Sequence, residues 1–251
     1  MPGTLYLVPA PLDVGCATQA PLQDVLPEST LRTAARLGHW IAENAKSTRA
    51  YLKRVGEVHP LAQPMQALQI TELPREVHKK GDHAGGFDAR PLLAPALQGH
   101  DIGMASEAGM PAVADPGSSV VRAAHELGVP VVPLVGPVSL LLALAASGLN
   151  GQSLAFVGYL AQQPGPRAQR LRDLEGLALR SGQSQLFIET PYRNLALWQA
   201  LLESLQPGTR LAVASGLSLP QARIGSRTVA QWKKAEAPVS ADVPAVFLLG
   251  R

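Results

Sequence analysis

A chain of 251 residues is long enough for one large or two ordinary domains, and 22 Lys+Arg against 19 Asp+Glu leaves a net charge of only +3. That balance permits an anionic partner such as RNA but falls short of an extended basic surface. A single cysteine, Cys16, excludes an intrachain disulfide and a cysteine-based zinc site and suits a reducing compartment, so the expected location is the cytoplasm.

In chain order, short apolar runs predict buried strands at Leu5–Val8, His39–Glu43, Ala67–Ile70, Ile102–Ala105, Val131–Val135, Leu154–Val157, Gln185–Ile188, Arg210–Ala214 and Val246–Leu249. Helical spacing falls between them at Glu28–Leu37, Ser47–Val55, Arg90–Leu97, Ser118–Leu127, Val138–Ser147, Arg167–Leu179, Asn194–Ser204 and Val229–Ala235. Alternation of this kind predicts an α/β protein with a largely parallel sheet, whose ligands sit at the carboxyl ends of the strands. The composition shifts at Pro111–Gly117, which places the domain boundary between 1–113 and 114–251. The longest apolar stretch, Val129 to Leu149, is interrupted by prolines, glycines and serines and reads as strand, loop and helix, not as a membrane span. No charged leader precedes an apolar segment, so no signal peptide is expected. Pro74–Pro91, with Arg75, His78, Lys79, Lys80, Asp82, His83, Gly85 and Gly86, is polar and glycine-rich and reads as a long exposed loop.

The chain lacks a Gly-x-Gly-x-x-Gly turn, a phosphate-binding Gly-x-x-x-x-Gly-Lys-Ser/Thr loop, His-Glu-x-x-His and Gly-x-Ser-x-Gly, which weighs against dehydrogenases, nucleoside triphosphatases, zinc peptidases and serine hydrolases. What remains is a set of loops after strands, rich in small residues. Ser106 to Gly117 packs glycines, alanines and two prolines into one strand-to-helix connection, a composition that lets bare backbone approach a ligand. Leu7-Val8-Pro9-Ala10-Pro11-Leu12, Val135-Gly136-Pro137-Val138-Ser139, Glu189-Thr190-Pro191-Tyr192-Arg193 and Ala214-Ser215-Gly216-Leu217-Ser218 close other strands. Each alone is also an ordinary strand-end turn.

Taken in order, these motifs resemble the tetrapyrrole methylase superfamily, and within it the small-subunit ribosomal RNA 2′-O-methyltransferases. Gly3 to Pro11 reads Gly-Thr-Leu-Tyr-Leu-Val-Pro-Ala-Pro against a family start of Gly-Thr-Leu-Tyr-x-Val-Pro-Thr-Pro. Ser106 to Gly117 matches the family's Ser-Asp-Ala-Gly-Thr-Pro-x-x-x-Asp-Pro-Gly with Glu107 and Met110 as changes, and Val120–Ala124, Gly136-Pro137 and Ala146–Leu149 match as well. Where the family carries Ala-Glu-Asp-Thr-Arg, this chain has Ala42-Glu43-Asn44-Ala45-Lys46, and the turn after the first strand becomes Asp13-Val14-Gly15.

The resemblance implies two α/β domains, the first sheet largely parallel and the second mixed, with S-adenosylmethionine held in a cleft between them. It implies cofactor contacts from Leu12, Ala108, Gly109, Met110, Val113, Val138, Ser139, Glu189 and Leu217, and a homodimer. It also implies an RNA or ribosomal-subunit acceptor; a tetrapyrrole or other small-molecule acceptor, and a cofactor-binding protein without transferase activity, are the alternatives. For a ribose hydroxyl a proton acceptor is useful, and Glu43 and Glu107, at strand ends, are the candidates, each of which is otherwise a capping or solvated carboxylate. His78 and His83 are either near an acceptor phosphate or simply solvated. Lys46, Arg49, Lys53 and Arg54 on one helix, and Arg167, Arg170 and Arg172 on another, are either RNA contacts or solvated faces. Trp40, Trp198 and Trp232 fit core or interface space.

Overall fold

A computed structural model describes residues 1–74, 76–77, 82 and 86–251. The readings placed on Arg75, His78, Lys79, Lys80, His83 and Gly85 lie outside the described residues. The chain forms two compact units, Met1–Val14 with Ala20–Pro137, and Gly15–Gln19 with Val138–Arg251.

In the first unit, strands β1 (Leu5–Leu7), β2 (His39–Ala42), β3 (Gln69–Glu72), β4 (Ile102–Ala105) and β5 (Val131–Pro133) make a sheet of order β3-β2-β4-β1-β5. All four ladders are parallel, with Leu5 opposite both Ile102 and Val131. A parallel sheet must be covered on both faces, and the pleat divides its apolar side chains accordingly. Trp40 packs with Leu31, Leu52 and Val55 from helices α2 (Glu28–Arg36) and α3 (Ala45–Val58), while its neighbour Ile41 packs on the other face with Ile102, Met104 and Val120. Trp40 fits because residue 103 is glycine: a Cβ there would lie 2.6 Å from the indole ring. Helix α3 starts where Asn44 accepts hydrogen bonds from the Lys46 and Ser47 amides, a side-chain cap. Helix α1 (Leu22–Val25), the short helix α4 (Ala94–Leu97) and α5 (Ser118–Glu126) also belong to the unit. The helix expected over Arg90–Leu97 is a 3-10 turn over Arg90–Leu93 followed by α4, since Pro91 and Pro95 withhold two amides.

Two expectations are corrected here. The boundary expected at 113/114 falls inside the first unit, because α5 and β5 return to it and β5 hydrogen-bonds β1; the division lies at Pro137/Val138. The segment Pro74–Pro91 is not an exposed loop throughout: Val77, Asp82 and Ala89 are buried. Asp82 accepts hydrogen bonds from the Gly117 and Ser119 amides and from the Ser118 and Ser119 hydroxyls, capping α5 from outside its own sequence. Burial pushes this carboxyl up, but the bonds from Ser119, Ser118 and Gly117 outweigh it and hold the pKa at about 2. Asp82 therefore contributes stability that is present above the ordinary carboxylate pKa and is lost as pH falls toward 2. Asp82→Ala should cost about 2–3 kcal/mol in urea unfolding at pH 7, because it strands two amides at a helix start; a loss below about 0.5 kcal/mol, within the range of an ordinary surface change, would show that the cap is dispensable.

In the second unit, β6 (Leu154–Tyr159), β7 (Ser184–Ile188), β8 (Arg210–Ser215), β9 (Arg223–Thr228) and β10 (Ala245–Gly250) form a sheet of order β6-β7-β10-β8-β9. β6 and β7 are parallel and the other three ladders antiparallel, so this sheet is mixed. One face carries Phe187 and Phe247, with parallel rings 6.0 Å apart, under helices α7 (Pro164–Ser181) and α8 (Asn194–Ser204), whose Trp198 meets Trp232 edge-on at 5.2 Å. The other face, with Leu186 and Leu248, is covered by Leu140 and Leu144 of α6 (Ser139–Ser147). The helix expected to begin at Val138 begins one residue later, and the one expected over Val229–Ala235 is the single turn α9 (Val229–Trp232). No helix among the described residues is long and apolar enough to cross a membrane.

Candidate functional site

In the first unit, sheet register brings two sequence-distant loops together. Val8 donates to the Met104 carbonyl at the end of β4, and Ala10 and Gly109 then exchange a pair of hydrogen bonds of 2.9 and 3.0 Å. This bridge fastens the loop that carries Leu12 to the loop that carries Ala108, Gly109 and Met110. Gly109 holds φ at +71°, and a Cβ there would lie 3.3 Å from Leu12 Cδ2 and 3.5 Å from the Pro137 carbonyl oxygen. Only glycine leaves that space open without strain. Ala108 and Met110 are half-buried beside it, and Val113 is exposed on the following turn. Ala112 and Ala114 both adopt positive φ, 64° and 67°, a conformation that costs roughly 1–2 kcal/mol per residue for an L side chain. Paired strain of this kind in one loop is a mark of a functional segment, and a sequence reading that looks for glycine at such positions passes over alanine.

The carboxylates gather by the same register. Ala42 pairs with Ala105 at the ends of β2 and β4, so the next residues emerge side by side. The Glu43 amide donates to the Ala105 carbonyl, and the Glu107 amide donates to Glu43 Oε2 at 3.0 Å. Asp115 joins them, a residue the sequence reading did not single out although it lies in the loop that reading emphasised. Burial, then the negative charge of Glu43 and of Glu107, push its carboxyl up to about 7 against the opposing effect of the Ser106 hydroxyl. Near neutral pH this cluster holds a proton that an isolated aspartate would have released.

In the second unit, Val138, Ile188 and Leu217 pack against one apolar cluster around Leu140, Leu186 and Leu248, which gathers the ends of three sequence-distant segments. The Ser139 and Leu140 amides precede the first bond of α6, made by the Leu141 amide to the Val138 carbonyl. Glu189 follows β7 and is 6% exposed; its Oε1 accepts from the Thr190 amide at 2.8 Å and lies 2.8 Å from Arg193 Nη2. That carboxylate oxygen is thus engaged in locking its own turn. Ser218, next to Leu217, has positive φ of 68° and a buried hydroxyl without a hydrogen-bond partner among the described residues.

Residues 29–232 match the tetrapyrrole (corrin/porphyrin) methylase family. The chain belongs to the tetrapyrrole methylases. Among curated members of the family, it is 30% identical over 220 residues to the ribosomal RNA small subunit methyltransferase I of Leptospira biflexa, covering 86% of this chain and 78% of that one. The protein of the same name from Xylella fastidiosa is 32% identical over 177 residues, 69% of this chain and 55% of that one. The match to the Synechocystis protein covers 86% and 67% at 30% identity. The chain thus spans between about half and three quarters of the length of these relatives. Of solved tetrapyrrole methylase structures, the uroporphyrin III C-methyltransferase of Thermus thermophilus is alike in fold at a TM-score of 0.57 and 18% identity, covering 99% of this chain and 98% of that one. The methyltransferase CobJ is alike at 0.57 and 17%, covering 99% and 94%.

Proposed function

We propose that this chain is an S-adenosylmethionine-dependent methyltransferase whose acceptor is a ribose 2′-hydroxyl of small-subunit ribosomal RNA, acting in the cytoplasm as a homodimer. The observation that carries the reading is the Ala10–Gly109 bridge, which opens a side-chain-free space beside Leu12 within the loops where the family resemblance is strongest. One feature fits the cofactor: that space, which a Cβ would fill. Leu12, Ala108, Gly109, Met110, Val113, Val138, Ser139, Glu189 and Leu217 are assigned to holding it, as the family resemblance implies. Glu189 acts by fixing its turn through Arg193.

When bound, S-adenosylmethionine supplies a methyl group already activated by its sulfonium. The remaining work of the chain is alignment and proton handling. Rigid loops that hold reacting groups in a near-attack arrangement can supply about 7–11 kcal/mol of the barrier. Glu43, oriented by the Glu107 amide, is assigned to accept the hydroxyl proton, and Asp115 to hold a proton in the same cluster. The outer face of α6, where Leu141 and Leu142 are exposed, is apolar surface of the kind a second copy covers.

Calorimetric titration with S-adenosylmethionine, followed by labelled-methyl transfer to small-subunit RNA, tests the assignment. Micromolar binding and RNA labelling are expected. Gly109→Trp should weaken binding by at least about 100-fold, equivalent to about 2.7 kcal/mol, because the ring must occupy the space beside Leu12. Gly109→Ala, which adds the strained φ and a single Cβ against Leu12 but no ring, should weaken binding less than Gly109→Trp, and thermal melts of both variants separate blockage from misfolding. Unchanged affinity in Gly109→Trp removes these loops from the cofactor site. Binding without transfer to RNA favours a small-molecule acceptor or a non-catalytic role.

A further inference from the structure

Helix α3 leads away from Glu43 and Asn44 and presents Lys46, Arg49 and Lys53 at intervals of three and four residues, so the three share one face over about 10 Å of helix. All three are exposed, and none makes an ion pair among the described residues. Arg54, next in sequence, differs: it is drawn inward to a two-pronged pair with Asp13, 3.1 Å at each prong.

Two nearby acids are directed to backbone amides, Glu72 Oε2 to that of Ala45 and Glu43 Oε2 to that of Glu107, and the ion pairs found among the described residues include none of the three cations. Glu57 follows one turn beyond Lys53 and is the acid on this face of the helix. Arg49 reaches back to the Ala45 carbonyl at 3.4 Å, a contact that leaves its charge in place. Lys46 sits in the first turn, where the helix dipole favours acids, so its position does not serve the helix. The helix does not need these cations, and Glu57 offsets at most one of the three.

We propose that the Lys46–Arg49–Lys53 stripe is the surface on which the phosphate backbone of the RNA acceptor lands, an inference that rests on the RNA reading above. The stripe begins three residues after the carboxylate assigned to the acceptor, so phosphates bound along it would bring neighbouring riboses toward that end of β2. Its apolar content is limited to Ala50, which offers no anchor for insertion into a lipid surface. Phosphate contacts position a nucleic acid without reading its bases, and each one adds to the salt dependence of binding.

The test is fluorescence anisotropy of a small-subunit ribosomal RNA transcript with wild-type protein and with Lys46→Glu/Arg49→Glu/Lys53→Glu, across a salt series. A neutral triple-alanine variant guards against an artefact of charge reversal. The slope of log affinity against log salt should fall by about 2–3 in either variant, at roughly 1 per lost phosphate contact, while S-adenosylmethionine affinity stays within about twofold of wild type. An unchanged slope overturns the stripe even if wild-type protein methylates RNA. If wild-type protein neither binds nor methylates RNA, the stripe and the RNA reading fall together. Binding of phosphatidylserine vesicles in place of RNA overturns the stripe as an RNA surface.

Discussion

Glu43→Gln is expected to slow methyl transfer to RNA by about 10²–10⁴-fold, the range a positioned proton acceptor supplies, while leaving S-adenosylmethionine affinity within about threefold. The amide of glutamine can still accept from the Glu107 backbone, so the loop geometry should persist and the loss should fall on the proton-accepting function. Single-turnover transfer read beside calorimetric cofactor binding separates the two effects. A rate within about fivefold of wild type would remove Glu43 from the proposed mechanism and leave Glu107 as the candidate, since it emerges from the adjacent strand end.

The second large effect concerns stability and pH. Asp115 has a folded-state pKa of about 7, raised by burial and by Glu43 and Glu107. Below about pH 4 the group is protonated in both folded and unfolded chains and has no effect. Between about 4 and 7 the unfolded chain releases a proton that the folded chain keeps, so stability falls as pH rises through this window and levels off above it. Three pKa units set an upper bound of about 4 kcal/mol, reduced where solvent reaches the group. Asp115→Asn should therefore match wild type near pH 4 and exceed it by up to a few kcal/mol at pH 8. Urea unfolding at the two pH values measures this directly, and equal pH profiles would mean that Asp115 titrates normally. Because Asp82 acts in the opposite sense and at lower pH, the two carboxyls can be read apart in one series. If Asp115→Asn is more stable yet transfers methyl groups more slowly, the destabilising charge cluster serves function at the expense of fold.

The wild-type sequence made the repeating plan readable because each buried strand had to be a short apolar run and each covering helix had to show its own period. Ile102–Ala105 and Asn194–Ser204 form as expected to the residue, and the parallel first sheet and mixed second sheet follow the family resemblance. Loop composition also marked the segment that bridges Ala10 to Gly109, since glycine and proline punctuate a chain through local sterics alone. β9 escaped notice because it is an edge strand, Arg223–Thr228, whose mostly polar side chains give no apolar run; it is defined by its pairing with β8. Asp82 read as a loop residue because the helix it caps starts 36 residues later. The unit boundary moved for the same kind of reason, β5 being claimed by a strand at the other end of the unit.

Composition and local periodicity thus determined which segments are strands and helices and which loops carry small residues, because those properties depend on neighbours in sequence. Only the tertiary structure decided that Glu43, Glu107 and Asp115 share one environment, that Arg54 turns inward while Lys46, Arg49 and Lys53 stay in solvent, and that Asp82 is buried, because burial, charge coupling and hydrogen-bond partnership are set by residues far apart in the chain.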